Sequence, residues 1–176
     1  QAHANDHMRR CVELIRSGII GKVKEVHGWT NRPIWPQGFK KAPEKHPVPE
    51  WLDWEQWIGP APWVDYNPLI APFAWRGWWD YGTGALGDMA CHIMDMGYWA
   101  VMPGAPTSVK AIEHGATELS PPINSIIEWE FAPSKHTSKS GFKYVWYDGY
   151  VDAHFDRGSW TVKKNSDEYN HPNKDV

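Results

Sequence analysis

The chain has 176 residues, a net charge of −3, and 41% hydrophobic against 22% charged residues, which describes a globular protein with room for one domain or a piece of a larger one. This weakly acidic balance, with no Lys/Arg cluster, excludes the electrostatic footprint of a nucleic-acid binder. Apolar runs such as PLIAPFAW fall far short of the roughly 20 residues of a membrane-spanning helix.

The opening, QAHANDH, has neither an initiator Met nor the pattern of a signal peptide, and reads as the continuation of a longer protein. Asn5 or Asp6 can cap a first helix, Asp6 to Ser17, in which Met8, Cys11, Val12 and Ile15 recur at helical spacing and which Gly18 ends. A strand is predicted from about Val23 to Thr30. From Arg32 to Arg76 the chain is dense in proline and tryptophan, with a short helix possible over Trp51 to Ile58. A loop of this length inside a compact domain is functional or disordered, and its aromatic content argues against disorder. A second helix is expected from Gly84 to Met102, with Met89, Ile93, Met96 and Ala100 as its apolar stripe and Pro103-Gly104 as its stop. Strands over Ser108 to Glu113, Ile123 to Phe131 and Phe142 to Tyr147 follow. The tail, 165–176, is polar and expected to fray. Strands and helices without strict βαβ alternation predict an α+β fold, an open sheet with helices packed on one face.

Cys11 and Cys91 each fall in a predicted helix and read as buried free thiols, so they do not decide between cytoplasm and periplasm. The 13 tryptophans suit either the apolar faces of sugars or a protein interface.

The stretch DYGTGALGDMACHIMD holds two overlapping patterns. Gly82, Gly84 and Gly87 spell the G-x-G-x-x-G of dinucleotide sites. That fingerprint needs a buried strand before it, and FAWRGWWDY lacks the Val/Ile/Leu character of one. The glycines are better explained by a backbone that comes close to a ligand or to another element. Asp88, His92 and Asp95 share one narrow stripe of the helix, two carboxylates and an imidazole. This trio can be a site for proton transfer or only a solvated helix edge. A metal site has no second ligand cluster to support it.

The runs WRGWWDYGTGALGDMACHIMD, GIIGKVKEVHGWTNRPIWPQG and WLDWEQWIGPAP resemble the C-terminal substrate domain of the Gfo/Idh/MocA oxidoreductases, in their bacterial, Trp-rich branch, over roughly Gln1 to Gly149. The resemblance implies an open, predominantly antiparallel sheet with helices on one side, at 21–164, that binds substrate and makes subunit contacts. Segment 1–20 would hold the crossover helix from an N-terminal Rossmann domain. That domain, absent from these residues, carries NAD or NADP and the lysine of a Glu-Lys-Pro motif, so no cofactor is expected on this chain by itself. The family's Asp and His motif maps onto Asp88 and His92. The implied activity is hydride transfer between a sugar or polyol and the nicotinamide, with His92 as proton acceptor and Asp88 orienting the substrate. Arg32, Arg76, Asp80 and Asp95 would contact hydroxyls, and Trp75, Trp78 and Trp79 would stack on the ring. Two alternatives stand beside this: transient oxidation serving glycoside cleavage or elimination, and a non-catalytic carbohydrate-binding or oligomerisation module presenting residues such as Trp129 and Trp146. After YVWYDG the likeness to the family stops.

Overall fold

The computed structural model describes residues 2–156 and 159–164, so the polar tail at 165–176 lies outside the described residues. Helix α1 (Asp6–Ser17) starts where the Asn5 side chain accepts hydrogen bonds from the backbone N–H groups of His7 and Met8, and it ends at Gly18 with φ 87°. Strand β1 (Glu25–Trp29) and the short helix α2 (Trp54–Ile58) follow, then helix α3 (Gly84–Val101). The remaining strands are β2 (Pro106–His114), β3 (Asn124–Phe131), β4 (Phe142–Asp148), β5 (Tyr150–Asp156) and β6 (Ser159–Lys164). The last two form a separate antiparallel hairpin, in a region where the sequence offered no strand prediction.

The main sheet runs β1-β4-β3-β2. Its β4/β3 and β3/β2 pairs are antiparallel, and only β1 lies parallel to β4. The fold is α+β, with a mostly antiparallel open sheet, and α3 packs on one face of it. Period-two alternation assigns the faces: Val26 and Gly28 of β1 stand level with Tyr144 and Trp146 of β4 and with Trp129 and Ile127 of β3. Two glycines let helix and sheet meet. A Cβ on Gly28 would lie 3.3 Å from the Ile93 side chain, and one on Gly97 would lie 2.8 Å from the Tyr144 hydroxyl. The packed stripe of α3 is therefore Ile93, Met94, Gly97 and Val101, rotated from the predicted Met89, Ile93, Met96 and Ala100 stripe, although Ala100 is also buried. Helix α1 lies against α3, where Arg16 donates hydrogen bonds to the carbonyls of Trp99 and Ala100 at the end of α3.

Strand β4 is central, and its side chains are buried on both faces except Lys143. Trp146 is fully buried, and its indole N–H donates to Asp148 at 2.8 Å. It therefore serves the core and is unavailable to an interface, since alternation along FKYVWYD cannot reveal which face is covered when both are apolar. Asp148 also accepts from the backbone N–H and the hydroxyl of Ser125, at 2.6 and 2.8 Å. Burial pushes its carboxyl above the usual range, while these three donors pull it back. Cys11 and Cys91 are free thiols, but both are exposed and not buried as expected, because α1 and α3 turn other residues inward.

The proline- and tryptophan-rich segment forms a second core in which Trp54, Ile58, Tyr66, Ile70, Ala71 and Trp78 are buried together. Ser120 pins this unit to the rest. It is fully buried, accepts from the Gly38 N–H at 2.7 Å and donates to the Gly77 carbonyl at 2.6 Å.

Candidate active site

Because Gly28 meets Ile93 and Val26 meets Gly97, β1 and α3 run in opposite directions, and β1 exits toward the N-terminal half of α3. The chain that follows brings Trp35 to Arg76 and Gln37 to the first residue of α3. From the other side, the 3-10 turn Ala74–Gly77 and the turn after it lead directly into α3. Sequence neighbours of α3 and residues some 50 positions earlier thus converge around Asp88.

The three glycines of the G-x-G-x-x-G pattern, Gly82, Gly84 and Gly87, are taken up by contacts within the protein. A Cβ at Gly82 would lie 2.6 Å from the Arg76 Cα, one at Gly84 would lie 2.5 Å from the Pro121 side chain, and one at Gly87 would overlap the Thr83 side chain. Gly84 also has φ 64°, which other residues rarely adopt. A turn precedes Gly82, where a dinucleotide site has the end of a strand. The described residues thus do not fit a nicotinamide dinucleotide at these glycines.

Asp88 pairs with Arg76, its carboxylate 3.5 Å from the guanidinium Nε, both side chains about one-third exposed. Arg76 is in turn set among three rings, its guanidinium carbon 4.3 Å from the Trp75 centroid, 5.3 Å from Phe73 and 5.6 Å from Trp35. It also donates to the Phe73 carbonyl at 3.2 Å. A guanidinium clamped between aromatic faces is a fixed positive charge. The carboxylate beside it is thereby oriented, a hydrogen-bond acceptor with one side still open.

His92, one turn further along α3, is exposed and makes no hydrogen bond or ion pair among the described residues. Asp95, the third member of the stripe, is engaged differently: the His3 ring reaches its carboxylate at 3.0 Å while stacking on Trp99 at 4.0 Å. The stripe divides into an open pair, Asp88 and His92, and a carboxylate tied to the turn at Ala2–Ala4.

The other residues singled out from sequence are dispersed around this pair. Trp78 is a core residue: its indole donates to the Leu69 carbonyl at 2.7 Å and Phe39 stacks on it at 4.1 Å. Trp79 is 45% exposed and donates to the Thr117 carbonyl. Arg32 is half-buried just beyond β1, its backbone bonded to Thr30 and Gly149, and its guanidinium makes no hydrogen bond among the described residues. Trp75 and Asp80 line an open cavity of about 260 Å³ together with Trp57, Ile58, Pro60, Ala61 and Tyr81. Trp35, Phe73, Trp57 and Tyr81 were not singled out as site residues. Trp57 and Tyr81 do stand in the family-like runs WLDWEQW and WWDYG, the local signal that marks them. Trp35 and Phe73 reach the site only through folding. Among the described residues no three His, Cys, Asp or Glu side chains gather as metal ligands, and no helix is long and apolar enough to cross a membrane.

A family model described as the C-terminal alpha/beta domain of the Gfo/Idh/MocA oxidoreductase family matches residues 5–114. The chain belongs to that family. The match spans α1 through the end of β2 and so includes Arg76, Asp88 and His92. Full-length members of this Gfo/Idh/MocA family carry a Rossmann domain and are in general nicotinamide-dependent. No curated protein matches the chain.

Proposed function

We propose that this Gfo/Idh/MocA domain is the substrate-binding half of a nicotinamide-dependent sugar or polyol oxidoreductase, with His92 as the group that exchanges the hydroxyl proton. The observation that carries this reading is the pairing on α3 of an exposed imidazole without a hydrogen bond among the described residues and a carboxylate held by the clamped Arg76. The nicotinamide, bound by the family's Rossmann domain, would supply the hydride chemistry. The residues of this chain would do the rest. Asp88 accepts a substrate hydroxyl and fixes its direction, and a second hydroxyl lies within reach of Arg76 or Arg32. His92 takes the proton of the reacting hydroxyl, the general-base task that histidine performs most often. Trp75 and Trp79 offer ring faces to the apolar side of a sugar. Asp95 and Trp78 support the site from behind, one through the turn at the N-terminus and the other through the loop core.

The reading is tested in the enzyme that carries this chain together with its nicotinamide-binding domain, assayed for NAD(P) reduction over a panel of sugars and polyols. His92→Ala is expected to lower kcat by roughly 100-fold or more, the scale of lost general acid-base catalysis. Its stability should stay within about 0.5 kcal/mol of wild type, as for a surface residue without partners. Unchanged turnover in that variant, or no oxidation of any sugar or polyol, refutes the proposal.

The second reading, an oligomerisation module, draws on β2. This nine-residue edge strand is exposed throughout, with Val109 58% and Ile112 48% accessible. An uncovered edge strand of this length invites pairing with another chain. The two readings are compatible, since β2 lies at the sheet edge opposite β1 and α3 packs over β1 and β4.

A further inference from the structure

His92 stands on α3 between two carboxylates, after Asp88 and before Asp95, and pairs with neither among the described residues. Side chains three and four apart on a helix are neighbours, about 5–6 Å between Cβ atoms, so both carboxylates are within reach of the ring. Both are taken instead by groups from outside the helix. Arg76, in the 3-10 turn before α3, holds Asp88, and His3, in the turn before α1, holds Asp95. The two cases differ in direction. Every Cα–Cβ bond of a helix tilts toward its N-terminus, so Asp95 leans over the turn that carries His92, whereas Asp88 leans away from it. Asp95 is therefore the carboxylate that has to be held. His3 Nε2 lies 3.0 Å from each of its two oxygens, and the His3 ring is fixed there by stacking on Trp99 at 4.0 Å and 16°.

From this arrangement we infer that His3 is a positioning residue that keeps Asp95 off His92, so that His92 stays an unpaired proton acceptor. The inference rests on the role given to His92 above and extends it to how the site holds that imidazole ready. A carboxylate hydrogen-bonded to an imidazole favours the imidazolium, in which both ring nitrogens are donors and neither can take a proton. The other elements packed on α3 do not replace His3. Arg16 of α1 spends its guanidinium on the carbonyls of Trp99 and Ala100. Tyr144 of β4 donates to the Met94 carbonyl at 3.2 Å, and burial, reinforced by the charge of Asp95, pushes its phenol well above its ordinary value, so it stays neutral. Strand β1 presents only Val26 and Gly28 to the helix. Stacking on Trp99 would dock the N-terminal turn with any aromatic ring, whereas holding Asp95 requires the nitrogen. A ring without nitrogen at position 3 separates the two roles.

The test follows the His92 ring through an NMR pH titration of the protein carrying isotope-labelled histidine, its signal assigned by its loss in His92→Ala. His3→Phe, a change at an exposed position, keeps a ring for Trp99 and removes the nitrogen. It is expected to raise the midpoint of the His92 titration by about 0.5 pH or more, because Asp95 is then free to pair with the imidazolium. Adding Asp95→Asn is expected to return the midpoint to that of the wild type. His3→Gln, whose amide can still donate to Asp95, should keep the wild-type midpoint. In the oxidation assay on the enzyme, the acid limb of kcat/KM should move up with the midpoint in His3→Phe, so the rate at pH values below the limb falls about three-fold or more. An unchanged midpoint in His3→Phe, or a raised one that survives Asp95→Asn, overturns the role of His3. A midpoint that moves while the acid limb stays in place upholds the hold on Asp95 and removes His92 as the proton acceptor.

Discussion

Arg76 and Asp88 should contribute to stability for different reasons, and their difference can be measured. The guanidinium lies within 6 Å of three ring centroids, at 4.3, 5.3 and 5.6 Å. Each such contact contributes about 0.5–1 kcal/mol at a partly solvated site, and the three share one cation, so together they give about 1–2 kcal/mol. The pair with Asp88 is longer, at 3.5 Å, and its side chains are 27% and 32% exposed. Screening at that exposure limits it to about 0.2–1 kcal/mol. Arg76→Ala is therefore expected to cost about 1.5–3 kcal/mol, including lost packing of its stem, whereas Asp88→Ala should cost less than about 1 kcal/mol. A double-mutant cycle by urea denaturation should return a coupling of about 0.2–1 kcal/mol that fades in 1 M salt, while the cost of Arg76→Ala persists there. An Asp88→Ala cost equal to that of Arg76→Ala, or an Arg76 effect that salt abolishes, would overturn this division of roles. Either result would mean that Asp88 holds the fold and is not free to serve a ligand.

Gly84→Ala should cost about 2–5 kcal/mol in the same assay, combining a left-handed backbone strain of about 1–2 kcal/mol with overpacking against Pro121 of about 1–3 kcal/mol. Gly104→Ala, at φ 78° with nothing within 4 Å, supplies the strain term by itself, and equal costs for the two would refute the contact with Pro121. Asp148→Asn turns an amide N–H₂ toward either the Ser125 N–H or the Trp146 indole, so a loss of about 1–3 kcal/mol is expected at neutral pH. Because burial raises the folded-state carboxyl above its unfolded value of 3.8, the wild type should lose stability as pH rises from that value through the folded pKa. The Asn variant should lack this slope, and parallel pH profiles for the two would overturn the assignment. Tyr81→Phe removes a buried hydroxyl that has no hydrogen-bond partner among the described residues and should leave the chain as stable or more stable by up to about 1–3 kcal/mol. A clear loss on thermal or urea denaturation would show that the hydroxyl has a structural partner.

The amino-acid sequence by itself determined the helices, because their signals are local. Asn5 and Gly18 bracket α1 through their own caps, and α3 begins and ends within a residue of its prediction. It determined the α+β class and, through three long runs of residues, the family. It also located Asp88 and His92 on one side of α3, since that follows from helical spacing without reference to any neighbour. Tertiary structure decided what each of those residues faces. Asp88 meets Arg76, and Asp95 meets His3 across 92 residues of chain, a contact no periodicity encodes. Trp78 went to the core and Trp75 to a cavity wall, although they lie three residues apart in one run of aromatics. The physical reason is that burial is a property of packing between distant segments. The loop around Trp54 and Tyr66 had to fold over one ring and leave the other open, and the hydrophobicity of an indole is the same in either place.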